Sequence, residues 1–139
     1  MPEYHSAGAA GLDLSACPPD GASVEIPPGE VRLIPCGFAM GIPEGFEGQV
    51  RPRSGLASRH RITLPNTPGT IDSDYRGEVM VPLINLSPTP FVVEPGMRIA
   101  QLVIAPVARV VVQVCATLDE TGRGAGGFGS TGFGTASTR

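Results

Sequence analysis

Hydrophobic positions along this chain come in short runs broken by glycine and proline. The runs are "SVEI" (Ser23–Ile26), "EVRLIPC" (Glu30–Cys36), "GQVRP" (Gly48–Pro52), "EVMVPLINLS" (Glu78–Ser87), "FVVE" (Phe91–Glu94), "RIAQLVIAPV" (Arg98–Val107) and "RVVVQVC" (Arg109–Cys115). They are rich in valine and isoleucine, and several alternate with period two, which predicts β-strands. The 19 glycines and 15 prolines are spread through the sequence and leave no room for long helices. One helical piece, a turn or two around "SGLASRH", is expected after Ser54. Many short strands with frequent turn signals predict an all-β sandwich or barrel, and no internal repeat changes that expectation.

Two of the runs, "RVVVQVC" and "QLVIAPV", are apolar on both faces. A small all-β domain has little interior to hide such strands, so a subunit interface is a natural place for them, with a tightly packed sandwich core as the alternative. The chain has 139 residues, enough for one core. A net charge of −3 argues against a broad nucleic-acid-binding face. All ten basic residues are arginine, so a P-loop, which needs its lysine, is excluded. No segment approaches the length of a membrane-spanning helix, and the start has no basic-then-apolar leader. Cys17, Cys36 and Cys115 are odd in number and lack metal-ligand spacing, as expected of reduced thiols in a cytoplasmic protein.

Familiar motifs are poorly matched. "GAGGFG" near the C-terminus satisfies GxGxxG, but a dinucleotide fingerprint must follow a strand and open a helix, and here the chain ends. His5 and His60 sit in no recognisable base motif and have no partners at zinc-binding spacing. What remains are five segments that mix charged or amide side chains with glycine and other small residues: "AGLDLSA" (Ala10–Ala16), "RPRSGLA" (Arg51–Ala57), "NTPGTIDSDYRGE" (Asn66–Glu78), "RIAQL" (Arg98–Leu102) and "RGAGGFGSTG" (Arg123–Gly132). Taken singly they have ordinary readings. Alternation alone places Asp13 and Gln101 on a solvent face, Asp72 and Asp74 are favoured in turns, and a Gly/Ser-rich end is commonly a disordered tail.

In this order and at this spacing the five segments resemble the five motifs of the homotrimeric dUTPases, over nearly the whole chain from Ala10 to Gly132. The resemblance implies a distorted jelly-roll subunit with a β core over residues 1–118 and a flexible glycine-rich arm over 119–139. It also implies a homotrimer with shared sites, and Mg²⁺-assisted hydrolysis of dUTP to dUMP and pyrophosphate, with no nucleic-acid or membrane partner. It further implies about ten more residues of strand ahead of the segment where Met1 stands.

Carried over residue by residue, Asp72 is the base that takes a proton from the attacking water. Asp74 is left as structural. Tyr75 lies against the deoxyribose where a 2′-hydroxyl would sit. The Asn66 amide and backbone groups near Gly69 and Ile71 read uracil by its acceptor–donor pattern. Arg53, Ser54, Gly55 and Gln101 meet the phosphates, with Ser54 at the oxygen between the α- and β-phosphates. Asp13 and Gln101 hold waters on the Mg²⁺ rather than the ion itself, which prefers phosphate oxygens and retained water. In the arm, Phe128 stacks on the uracil face, Gly129 is a further substrate contact, and Arg123, Ser130, Thr131 and nearby backbone N–H groups wrap the γ-phosphate. Phe133 has no assigned role. Two rival readings share the fold: a dCTP deaminase-like enzyme, and a non-catalytic dUTP-sensing regulator.

Overall fold

The computed structural model describes residues 1–130, 132 and 134. Nine strands form in chain order: β1 (Leu12–Ser15), β2 (Val24–Ile26), β3 (Val31–Ala39), β4 (Phe46–Pro52), β5 (Ile62–Thr63), β6 (Gly69–Ile71), β7 (Glu78–Asn85), β8 (Phe91–Val93) and β9 (Arg98–Pro106). They pair antiparallel into a four-stranded sheet of order β1-β9-β4-β6, a three-stranded sheet β3-β7-β5 and a ribbon β2-β8. Sequence neighbours are mostly not sheet neighbours, and these long crossovers give the distorted jelly roll.

Alternation decides which side chains enter the core. In β7 the residues Val79, Val81 and Leu83 are fully buried, with Asn85 following in phase. Leu14, Ile26, Ile34, Ile62, Val93, Ile99 and Leu102 complete the interior, each such side chain contributing roughly 1.5–3 kcal/mol by leaving water. Asn85 is the polar exception among the fully buried side chains. Its amide nitrogen donates to the carbonyls of Ile26 and Thr89, both at 2.8 Å, and its oxygen accepts from the Ser87 N–H at 2.9 Å. With its groups satisfied, the buried amide ties β2 to the β7–β8 turn, and these bonds offset the cost of taking it out of water.

The helix α1 (Ser54–His60) is one short element, as the sequence predicts. Arg59 and His60 in its last turn complement the helix dipole, and Arg61 closes it in the left-handed conformation at φ 57°.

One expected strand is absent. Arg109–Cys115 lies in no sheet, and Val110, Val111, Val112 and Val114 are exposed rather than buried. Valine content gives a segment β-propensity, but a strand exists only where another edge supplies hydrogen bonds. The described residues divide here into two compact units, Met1–Ala108 and a second beginning at Arg109.

Candidate active site

Strand pairing gathers one group of predicted residues. In the four-stranded sheet Asp13 of β1 stands opposite Gln101 of β9, and Gln101 stands opposite Arg51 of β4. Leaving β4, the chain reaches Arg53, which sits at the N-cap of α1 ahead of the exposed Ser54 and Gly55. Asp13 is not on a solvent face: it is 6% exposed, because cations and an amide converge on it. Arg98 donates to its Oδ2 at 3.0 Å and Gln101 Nε2 donates to its Oδ1 at 3.0 Å. Arg53 and His5 approach the same Oδ2 at 3.6 and 3.4 Å. Arg53 is also anchored through a bond of 3.0 Å from its guanidinium to the Arg98 carbonyl. A buried carboxylate is tolerated when it is paired and hydrogen-bonded in this way.

A second group forms around the β6–β7 connection. β6 pairs with β4 through Ile71–Gly48 and Gly69–Val50, which places the Asn66–Tyr75 segment on the same sheet. Gly69 is buried; a Cβ there would lie 3.1 Å from Asn66 Nδ2 and 3.5 Å from the Val50 side chain. A larger residue would push the Asn66 amide away. After Ile71 the chain turns at Asp72–Tyr75, closed by a 3.1 Å bond from the Tyr75 N–H to the Asp72 carbonyl. Arg76 then donates to the carbonyls of Ser73 and Tyr75.

Tyr75 is 44% exposed, yet its hydroxyl is fixed, donating to the Glu78 carbonyl at 2.9 Å. Its ring lies so close over Gly77 that a Cβ at Gly77 would collide with the phenol oxygen. Glu78 in turn accepts from the Gly37 N–H at 2.8 Å, where β3 bulges out of register with β7. Tyr75 is therefore held by β7 at a residue that β3 braces in turn. Between them lies a cavity of about 260 Å³ walled by Thr70, Ile71, Asp72, Tyr75, Leu33 and Met80. Asp72 is exposed on that wall and its carboxylate has no hydrogen bond or ion pair among the described residues. A free carboxylate fixed on a turn can accept a proton from a bound water.

The second unit carries the remaining predicted residues. Its turns are local, with N–H groups of Gly124, Gly126, Ser130 and Gly132 reaching carbonyls three residues back. Arg123 Nε donates to the Gly126 carbonyl at 2.8 Å. Phe128 is fully exposed and has a positive φ of 46°, as does Gly129 at 85°. Thr131 and Phe133 lie outside the described residues.

Among the described residues no cluster of three or more His, Cys, Asp or Glu side chains is placed to hold a metal ion. A dUTPase family model matches residues 1–132. The chain belongs to the dUTPase family. A deoxyuridine 5′-triphosphate nucleotidohydrolase of Rhizobium etli strain CIAT 652 is 61% identical over 132 residues, covering 95% of this chain and 85% of the relative. The enzyme of the same name from Syntrophotalea carbinolica is 59% identical over 133 residues, covering 96% and 89%. Among solved structures, the dUTPase of Staphylococcus bacteriophage 80alpha with dUPNHPP superimposes with a TM-score of 0.84 at 28% identity, covering 95% of this chain and 91% of that one.

Three residues that contact the predicted ones were given no role by the sequence alone. Arg98 lies within a recognised segment, but alternation puts residues three apart in a strand on opposite faces, so the pattern held no signal that it would meet Asp13 beside Gln101. Gly77 lacked any, since its role is visible only once Tyr75 is seen lying over it. His5 precedes the first recognised segment altogether.

Proposed function

We propose that this chain hydrolyses dUTP to dUMP and pyrophosphate, which keeps uracil out of DNA and supplies dUMP for thymidylate synthesis. The observation that carries the reading is the exposed, unpaired Asp72 carboxylate on the wall of a cavity that also holds the fixed Tyr75. The named activity of the Rhizobium etli relative and the dUTP analogue bound by the bacteriophage enzyme support it.

Asp72 accepts a proton from water as the water oxygen bonds to the α-phosphorus. The bond from that phosphorus to the α,β-bridging oxygen breaks, and its electron pair leaves on pyrophosphate. Ser54 donates to the bridging oxygen as negative charge grows there. Arg53 and Gln101 meet the phosphates. The Asn66 amide with the backbone at Gly69 and Ile71 selects uracil, whose acceptor–donor pattern cytosine reverses. Tyr75 occupies the place of a 2′-hydroxyl and so excludes ribonucleotides.

The donor set fits Mg²⁺ carried on phosphate and water rather than on protein. Gln101 spends an amide N–H on Asp13 and keeps its carbonyl oxygen as an acceptor for a metal-bound water. Among the described residues Asp13 Oδ1 receives only that one bond and has acceptor capacity left. When bound, Mg²⁺ offsets the charge of the triphosphate.

The assembly we infer is a homotrimer with shared sites. The outer face of β3 and β7 exposes Val31, Leu33 and Met80, an apolar stripe. Leu33 and Met80 also wall the cavity, so a subunit seated on this face would complete the site. Val110–Val114 is exposed and lies in no sheet, and its valines suit it to pair as a strand with a neighbouring chain. The arm, residues 119–139, then closes over the nucleotide: Phe128 with Gly129 on uracil, and Arg123, Ser130 and Thr131 on the γ-phosphate.

Incubation with Mg²⁺ and either dUTP or dCTP tests the function. Pyrophosphate from dUTP without ammonia from dCTP is the expected result. Ammonia release would instead identify a deaminase, and binding of dUTP without turnover a sensor.

A further inference from the structure

Arg98 stands at the junction of the phosphate-facing residues, and no step of the proposed reaction uses it. Its two polar ends do different things. The backbone carbonyl accepts from Arg53 Nη1 at 3.0 Å, which sets the direction of the Arg53 guanidinium. The side chain donates to Asp13 Oδ2 at 3.0 Å. Arg53 Nη2 lies 3.6 Å from that same oxygen, and His5 Nε2 lies 3.4 Å from it. Gln101 is tied to the other oxygen.

The arrangement poses an electrostatic problem. Asp13 is buried, and an unneutralised carboxylate there would draw Arg53 onto itself and repel phosphate. Formal charges make the point: Asp13 with Arg53 alone sums to zero, and Arg98 brings the cluster to +1. Arg98 makes the shorter contact with Asp13 Oδ2, 3.0 Å against 3.6 Å for Arg53.

We propose that Arg98 is a positioning residue that neutralises Asp13, so that the charge of Arg53 remains available to the nucleotide phosphates. The proposal rests on the reading of Arg53 as a phosphate contact. It makes Asp13 more than a holder of water. Asp13 fixes Gln101 by one oxygen and fixes Arg98 by the other, and the pair cancels electrically while leaving Arg53 oriented. Because the whole cluster comes from one chain, the device operates within each subunit.

The test is binding of α,β-imido-dUTP and of 2′-deoxyuridine to the full-length, metal-free protein in EDTA, so that no result depends on Mg²⁺. Arg98→Gln keeps a donor for Asp13 and removes the charge. It is expected to weaken imido-dUTP binding by about tenfold, the scale of one unit charge a few ångströms from a phosphate, and to leave deoxyuridine binding within about twofold because that ligand has no phosphate. Arg98→Lys keeps the charge and is expected to bind close to wild type. The decisive variant is the double Asp13→Asn/Arg98→Gln. Removing both charges restores the balance, so imido-dUTP affinity should return to within about threefold of wild type.

An unchanged affinity in Arg98→Gln overturns the proposal. So does a double variant as weak as the single one, which would mean that Arg98 acts by shape alone. Should Arg98→Gln fail to fold, the double variant still decides, because it buries no lone charge. If Arg53→Gln leaves imido-dUTP affinity untouched, the reading of Arg53 itself has failed and the proposal falls with it. Loss in both Arg98→Gln and Arg53→Gln supports the two readings together, whereas damage from Arg53→Gln with none from Arg98→Gln overturns the proposal and leaves the reading of Arg53 standing.

Discussion

Two glycine-bearing segments, Asn66–Glu78 and Arg123–Gly132, carry the most distinctive chemistry of the chain, and they are built on different principles. In the first, local turns, the Tyr75–Glu78 bond among them, are overlaid by distant contacts: β6 pairs with β4, and Glu78 is bonded to Gly37 forty-one residues away. In the second, the recorded hydrogen bonds join residues three apart. Closing such turns fixes a few dihedrals for one bond each, against a backbone entropy cost of roughly 1–2 kcal/mol per residue. The exposed Phe128 sits in the left-handed region, which costs about 1 kcal/mol in an L-residue. The first segment is shaped before any ligand arrives. The second needs a partner for its shape to be worth holding, which suits a flap that orders on the substrate.

The comparison breaks most sharply at Asp72. Asp72→Asn preserves the turn and removes only the proton acceptor. The loss is expected in kcat, by about 10²–10⁴-fold, with dUTP affinity nearly unchanged. Single-turnover rates beside analogue binding would show it, and a wild-type kcat would remove Asp72 from the mechanism.

Deleting everything after Leu118 should cost activity on the order of 10²-fold, the scale set by losing closure and positioning, while thermal unfolding stays within a few degrees of the full chain. Loss of folding or assembly on truncation would make the tail a structural clasp first, and the contrast drawn above would collapse.

A finer test lies inside the pre-shaped segment. Tyr75→Ala should narrow the preference for dUTP over UTP, read as the ratio of kcat/KM, by about tenfold or more. Gly77→Ala should reproduce part of that effect without touching the ring chemically, because the new methyl collides with the phenol oxygen and must displace it. A ratio unmoved by both variants would put sugar selection elsewhere.

Legibility followed the same division. Segments whose fate depends on alternation were readable: β7 buries Val79, Val81 and Leu83 as its period requires. Recognition of the five motifs supplied Asp72 and Tyr75 before any geometry. The sequence misled where a long-range partner decides. Asp13 looks like a solvent-facing polar residue in a strand, yet it is buried because Arg98, eighty-five residues on, neutralises it. "RVVVQVC" has the composition of a strand and no edge to pair with among the described residues. Gly77 reads as an ordinary turn glycine until the Tyr75 ring is found over it. Pattern reports what a residue prefers, and these three were settled by what stands beside them.

The smallest effect concerns thiols, which report the burial of the body directly. Cys36, in β3 beside the Gly37 bulge, is buried, and its pKa is pushed up to about 12 by burial first and then by the nearby Glu78 and Cys17 charges. Cys115, in the second unit, is exposed. In the unfolded chain Cys36 ionises near its ordinary value of 9.0, whereas in the folded chain it keeps its proton until about pH 12. The folded state therefore binds more protons across that window, and stability falls as pH rises through it, by at most about 1.4 kcal/mol per pH unit from this one group. Below pH 9 the group contributes no slope. Urea unfolding of wild type and Cys36→Ala between pH 8 and 11 measures the difference: both should lose stability in alkali, but wild type should lose more. Alkylation gives a second readout, since Cys36 should resist iodoacetamide at pH 8 while the protein is folded and react once it is unfolded. Equal alkaline slopes, or rapid labelling of Cys36 in the folded protein, would show that the bulge at Gly37 opens far more readily than the segment it braces through Glu78. The Asn66–Glu78 turn would then be no better held than the arm.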